Sequence, residues 1–323
     1  MKISTSFLSR YSCLTVLFLV WLGAFGSQAS ERHLWDDGWR FALQQDDAPQ
    51  QSAFDDSEWR LLDLPHDWAI EGDFYAQNPS GATGGALPGG KGWYRKHLVL
   101  HDNDATSRYV LHFDGAYMNT SVYVNGTLVG TRPYGFISFS YDLTSYLNKQ
   151  GDNVVAVKVD NSQQPNSRWY TGCGIYRHVY LSKSTDVRVA EWGVQTLTKV
   201  KKKVGMVMLN TRLENFSGRC RRVLVCQKLW DETHRLVAQT SKVCQIEVSG
   251  SSIQQQMLVD RPQLWSLTSP YLYTVTTELV EKEKILDCDT MIMGFRTVAF
   301  DAAKGFFLNG ENIKNYKLKD EDI

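Results

Sequence analysis

The chain has 323 residues, more than one average domain needs, so its length points to two domains. Hydrophobic residues make up 43% and aromatics 12%, ample for buried cores, and 35 Lys and Arg balance 35 Asp and Glu. That neutrality lacks the basic footprint of a nucleic-acid binder, and the single basic run, Lys199 with Lys201, Lys202 and Lys203, reads as a solvated turn between domains.

Residues 1–29 read as an export signal. Lys2 and Arg10 give the positive start, and residues 13–25 (CLTVLFLVWLGAF) form an apolar run too short to span a bilayer but right for a signal core. Ser27-Gln28-Ala29 has the small-x-small pattern of a cleavage site, so the mature chain is expected to begin near Ser30. An uncleaved anchor is the alternative. The mature protein is expected to be exported, periplasmic or secreted, without membrane attachment after cleavage.

Almost every later periodic segment reads as strand. Residues 93–100 (WYRKHLVL), 109–113 (YVLHF), 154–159 (VVAVKV) and 178–181 (HVYL) are rich in β-branched and aromatic residues. Residues 122–129 (VYVNGTLV) read as a hairpin, because Asn125-Gly126 suits the positive φ angles of a type I′ turn. Past Lys183 a new series begins, with segments 187–197, 204–213, 223–229, 243–248 and 271–279 among about seven strands in roughly 110 residues, the size of an immunoglobulin-like sandwich. Trp265, Tyr271 and Tyr273 read as its core. The expected fold is all-β: a jelly-roll sandwich over 30–183, then an immunoglobulin-like sandwich over 184–296. The glycosylation-type triplets at Asn119, Asn125 and Asn215 read as chance matches at turns.

Few residues suggest chemistry of their own. Cys173, Cys220, Cys226, Cys244 and Cys288 would remain after signal removal, an odd set with no CxxC, so neither a zinc site nor a disulfide-dense scaffold is expected. One or two bridges in the second half and buried free thiols both fit. Gly84-Gly85 and Gly89-Gly90 flank Pro88 without the spacing of a phosphate cradle, and no cofactor or metal motif is present. The doublets Asp36-Asp37, Asp46-Asp47 and Asp55-Asp56 are not converging pairs, since neighbours in extended chain point to opposite faces; all six read as solvated loop residues.

Seven stretches are more specific: LPHDWAIEGDF (64–74), GGALPGGKGWYRK (84–96), FDGAYMNTSVYVNGTLVG (113–130), YGFISFSYDLTSYL (134–147), NSRWYTGCGIYRHVYL (166–181), PQLWSLTSPYLYTV (262–275) and GFRTVAFDAAKGFFLNG (294–310). In this order, from about residue 33 to about 314, they resemble glycoside hydrolase family two, most closely its exported bacterial β-galactosidases. The resemblance implies a galactose-binding-like jelly roll, an immunoglobulin-like sandwich and then a (β/α)8 barrel that carries the chemistry. Residues 297–323 would be a stub of that barrel, with GFFLNGENIK entering its first strand and departing from the family pattern after Lys314, as a frameshift or premature stop would. GFFL would then be a strand with no sheet to join, and a cause of poor solubility.

The family's acid/base Glu follows an Asn, and the chain contains no Asn-Glu dipeptide. Retaining glycosidases need two carboxylates about 5 Å apart, and the barrel that holds them takes about 250 residues, so the chain is expected to be inactive alone. The resemblance places Asn166, Ser167 and Arg168 in a loop that reaches the barrel mouth, as contacts to a β-galactoside-type carbohydrate, with Trp169 and Tyr170 offering faces for a sugar ring. The alternative is that Arg168 and Trp169 lock this loop onto the sandwich. Gly172, Gly174, Tyr176 and Arg177 read as structural, as do His66, Asp67 and Trp68, with Asp67 pairing an Arg such as Arg95. The competing overall readings are a non-catalytic carbohydrate-binding or adhesion protein of two sandwiches, and a remnant that binds nothing.

Overall fold

The computed structural model describes residues 31–44, 46–103 and 105–313. Residues 1–30, which include the expected export signal, and residues 314–323 lie outside the described residues. Ten strands come first: β1 (Glu31–Leu34), β2 (Trp39–Leu43), β3 (Arg60–Leu62), β4 (Gly90–His101), β5 (Arg108–Phe113), β6 (Thr120–Val124), β7 (Thr127–Arg132), β8 (Phe139–Asp142), β9 (Gln150–Asn161) and β10 (Val179–Ser184). They form a six-stranded sheet, ordered β3-β2-β4-β9-β6-β7, and a four-stranded sheet, ordered β1-β10-β5-β8. The core between them holds Trp39, Phe41, Tyr94, Val122, Val124, Val155 and Val157, with Phe113 stacked on Phe139 at 4.8 Å.

The outer face of the six-stranded sheet is covered as well. Trp93, Tyr123 and Ala156 are buried there, with Trp59 packed against them. This is why residues 122–124 of β6 and 154–157 of β9 read as apolar runs rather than alternating ones: both faces are dry. The β6–β7 turn is Asn125-Gly126, with φ of 50° and 85°, the I′ signature.

Arg95 holds the cover in place. It lies on the same face as Trp93 and is fully buried. Its Nε donates to Asp56 Oδ2 at 2.7 Å, and its other donors go to the carbonyls of Pro49, Gln51, Ser52 and Phe54. The whole guanidinium fork is thus spent on one loop. Burial opposes ionisation of Asp56, but Arg95 and His97 (3.0 Å) outweigh it and hold the carboxyl below its ordinary range. This corrects the reading of the Asp doublets. Asp36 and Asp56 are only 4% and 5% exposed, and Asp36 accepts from the Val179 amide at 2.8 Å. Their neighbours Asp37 and Asp55, like Asp46 and Asp47, face solvent. Within each of the doublets 36–37 and 55–56 the two carboxylates diverge, one buried and one in solvent.

Seven further strands follow: β11 (Val187–Lys201), β12 (Val204–Asn215), β13 (Arg221–Trp230), β14 (Leu236–Ile246), β15 (Ser251–Asp260), β16 (Tyr273–Glu281) and β17 (Lys284–Met293). They form sheets ordered β11-β12-β15 and β14-β13-β16-β17, a three-on-four immunoglobulin-like sandwich. Strand β13 alternates buried and half-buried residues along most of its length, the mark of a strand with one face on the core. Tyr271 and Tyr273 are buried in the core of this sandwich, as expected, whereas Trp265 is half-buried and stands outside that core. The lysine run lies within this sandwich, not between domains: Lys202, at φ 56°, turns β11 into β12. All five described cysteines are free thiols.

The last described strands, β18 (Val298–Asp301), β19 (Gly305–Leu308) and β20 (Glu311–Asn312), make an antiparallel sheet ordered β18-β19-β20. GFFL therefore does have a sheet to join, with a neighbour on each side, and the solubility argument built on it falls. The parallel barrel strand expected here is not seen among the described residues. Asn309-Gly310, at φ of 54° and 84°, is a second I′ turn. Asn309 Nδ2 donates to the Trp265 carbonyl at 3.0 Å and ties the sheet to the second sandwich.

Replacing Arg95 by Met leaves Asp56 buried without its main partner and should cost about 3–5 kcal/mol in urea unfolding. Asp47→Asn, which removes an exposed partner of Lys158, should cost no more than about 1 kcal/mol. Equal costs would show that Arg95 is not the clamp described.

Candidate functional site

The segment 162–178 joins β9 to β10 at one end of the first sandwich. Asn161, at the end of β9, pins both its limbs. Its Nδ2 donates to the Gly172 carbonyl at 3.1 Å, and its Oδ1 accepts from Asn166 at 2.7 Å and Gln164 at 2.8 Å. The returning limb lies against residues 66–68: His66 N donates to Ile175 O at 2.8 Å, and Trp68 N to Cys173 O at 3.0 Å. Gly174, at φ 134°, is obligatory there, because an added Cβ would lie 2.5 Å from the His66 carbonyl and the Tyr94 hydroxyl.

Asp67 closes the arrangement. Oδ1 accepts from the amides of Ala69 and Cys173, each at 3.0 Å, and Oδ2 accepts from the Tyr170 hydroxyl. Burial and the Asp67 carboxylate hold the Tyr170 phenol far above its ordinary value. Burial also pushes the Cys173 thiol up to about 12. Asp67 therefore does not pair with Arg95, which is committed to the 46–59 loop. His66 Nδ1 lies 2.7 Å from the Tyr94 hydroxyl and Nε2 lies 2.9 Å from Arg60, and burial lowers its affinity for a proton. It is a neutral structural histidine, as its neighbourhood in the sequence suggested.

The four candidate contact residues separate on this scaffold. Asn166 is consumed internally: besides Asn161, its amide reaches Gln163 O at 3.2 Å, and its Oδ1 accepts from Tyr117 at 3.4 Å. Ser167 Oγ accepts from the Trp169 amide at 3.4 Å, which shapes the tip. Arg168 is exposed, and Trp169 is 64% exposed. Arg168 and Trp169 do not lock the loop; Asn161, Asn166, Asp67 and Tyr170 do. The crevice beneath the tip, lined by Ser80, Asn161 and Cys173 among others, measures about 10 Å³, no more than a water occupies. Tyr134, Phe136, Ile137, Phe74 and Tyr75 are each at least 49% exposed on loops of the same domain. Phe136 packs 4.9 Å from Tyr117, which holds Asn166.

The architecture defines a tandem of a jelly roll and an immunoglobulin-like sandwich, and comparison with known proteins places it. Residues 33–185 match the sugar binding domain of the glycosyl hydrolases family 2, and residues 187–296 match the glycosyl hydrolases family 2 domain that follows it. The chain belongs to glycosyl hydrolases family 2 and corresponds to its N-terminal portion. A beta-galactosidase of Bacteroides ovatus, BoGH2A, is 48% identical over 91% of this chain and 35% of its own length. A putative beta-glucuronidase of Formosa agariphila is 36% identical over 86% of this chain and 26% of its own length. A family 2 member from Bacteroides cellulosilyticus superposes with a TM-score of 0.83 at 32% identity, covering 87% of this chain and 37% of that one. The chain thus spans about a third of the length of such relatives.

Asp67→Ala should free the Tyr170 and Cys173 anchors together. In the parent Cys173 is buried, and burial pushes its thiol up to about 12, so a disulfide reagent should label it last. In the variant, labelling of Cys173 should quicken at least about tenfold while Cys220 is unchanged; identical kinetics would contradict the role given to Asp67.

Proposed function

We propose that this chain is the portion of a β-galactosidase-type glycosidase that helps form the sugar site without performing the bond cleavage. The observation that carries the reading is the 48% identity with a beta-galactosidase over nearly the whole described length. Trp169 offers a ring face against which the apolar side of a pyranose can pack. Arg168 offers guanidinium donors, and Ser167 a hydroxyl, to sugar oxygens. Asn166 holds the loop rather than the sugar. Hydrolysis with retention needs a nucleophile and an acid/base carboxylate about 5 Å apart. In this reading both come from a catalytic barrel, and the residues of this chain bind and orient. We also propose that the protein is exported, on the strength of Lys2, Arg10 and the apolar run 13–25.

The test is turnover of nitrophenyl β-galactoside by the purified chain. No hydrolysis above the rate in buffer is expected. Turnover that survives repurification would overturn the division of labour.

A further inference from the structure

A second cavity lies away from the loop just described, where the two sandwiches meet. It encloses about 460 Å³, within the usual size range of small-molecule sites. Its walls come from β10, the start of β11, and β17. Two of its lining groups are buried polar side chains with an unsatisfied atom: Asp287, 3% exposed, and Ser184, 7% exposed. Asp287 Oδ2 accepts from the Val189 amide at 2.6 Å, while Oδ1 has no partner, and neither has Ser184 Oγ. Burial, with Asp289 close by, pushes the Asp287 carboxyl up to about 6.

Charge in the cavity is unbalanced toward acid. Arg32 lies 3.9 Å from Glu191 and stacks over Tyr180 at 4.3 Å. Glu191 is also 3.2 Å from His112, and Arg188 is bound to Glu214 at 2.9 Å. Asp287 and Asp289 are left without a cation in salt-bridge range among the described residues. At the rim, β11 bulges between Val189 and Val194 and carries Trp192 at φ 48°, an unusual conformation for a bulky residue. The bulge is tight: a Cβ on Gly193 would meet the Ala190 carbonyl at 2.6 Å. Trp192 stays 58% exposed, its ring centroid 5.1 Å from that of His112.

A water molecule would satisfy Asp287 Oδ1, but it would leave Asp289 uncompensated and Trp192 unused. A bare metal ion is a poor match, because no group of three His, Cys, Asp or Glu among the described residues is placed to hold one. We propose that this inter-sandwich cavity binds a small organic cation through its ammonium group, held by Asp287 and Asp289, with Ser184 as a hydrogen-bond partner and Trp192 as a cation–π face. Amino sugars and peptide lysines both carry that group.

Equilibrium dialysis of the full chain with labelled glucosamine at neutral pH and low salt tests this. Glucosamine should be retained at one per chain, with labelled glucose, of the same shape but uncharged, passing through. Asp289→Asn should weaken retention about tenfold or more, and Trp192→Ala should weaken it severalfold. Trp169→Ala, on the separate loop, should leave it unchanged. Displacement by Nα-acetyl-lysine amide would identify the ammonium alone as the recognised group; failure to displace would add the sugar ring to what is read. Equal retention of glucose, no retention at all, or parent-like binding by both Asp289→Asn and Trp192→Ala would overturn the proposal.

Discussion

A single carboxylate, Asp67, decides the form of the exposed end of this protein. Three donors converge on it, from Ala69, Tyr170 and Cys173, the last two on the far limb of the 162–178 segment. Without such an acceptor that segment would be a long surface connection free to sample many shapes, at a conformational cost of about 1–2 kcal/mol for each residue later ordered. With it, the ordering is done within the fold. The tip then presents Arg168 and Trp169 in one arrangement, which is what a recognition loop needs if binding is not to be spent on organising it.

The same device recurs at larger scale. Asp36 takes an amide of β10, Asp56 takes the side chain of Arg95, and Asp287 takes an amide of β11. In each case a buried acid joins two parts of the chain distant in sequence, and hydrogen bonds offset the burial of its charge. Asp36, Asp56 and Asp67 are well satisfied. Asp287 is not, and that difference turns a structural feature into a candidate binding group.

Much of the architecture was legible in the residues. The I′ turn at Asn125-Gly126 was visible because few residue pairs tolerate two positive φ angles. Segments 223–229 and 271–279 were read as strands, and the count of about seven strands in the second sandwich followed. What was not legible depended on partners far away in sequence. Nothing in Asp55-Asp56 says that the second residue is buried by Arg95, 39 positions on. The lysine run reads the same in a hairpin turn as in a linker. β18 gave too short a signal to be seen as the neighbour that pairs with GFFL. Within the 162–178 segment, Asn166, Ser167, Arg168 and Trp169 stood out together as expected carbohydrate contacts, and the structure separates Asn166 from the other three. Asp67 was read as structural but with the wrong partner, and the holding roles of Asn161 and Tyr170 were hidden, because hydrogen-bond anchors carry no periodicity.

Membership of glycosyl hydrolases family 2 thus rests on two sandwiches, and the functional reading rests on how one loop divides its residues between anchoring and display. Titrating isotope-labelled chain with methyl β-galactoside, and following the Trp169 indole and Arg168 side-chain N–H signals by NMR, tests that division directly. Saturable shifts at Trp169 and Arg168, with the Asn166 side-chain amide staying in place, are the predicted result. Absence of any shift at Trp169 when galactoside is in large excess, or shifts confined to other surfaces, would contradict the account.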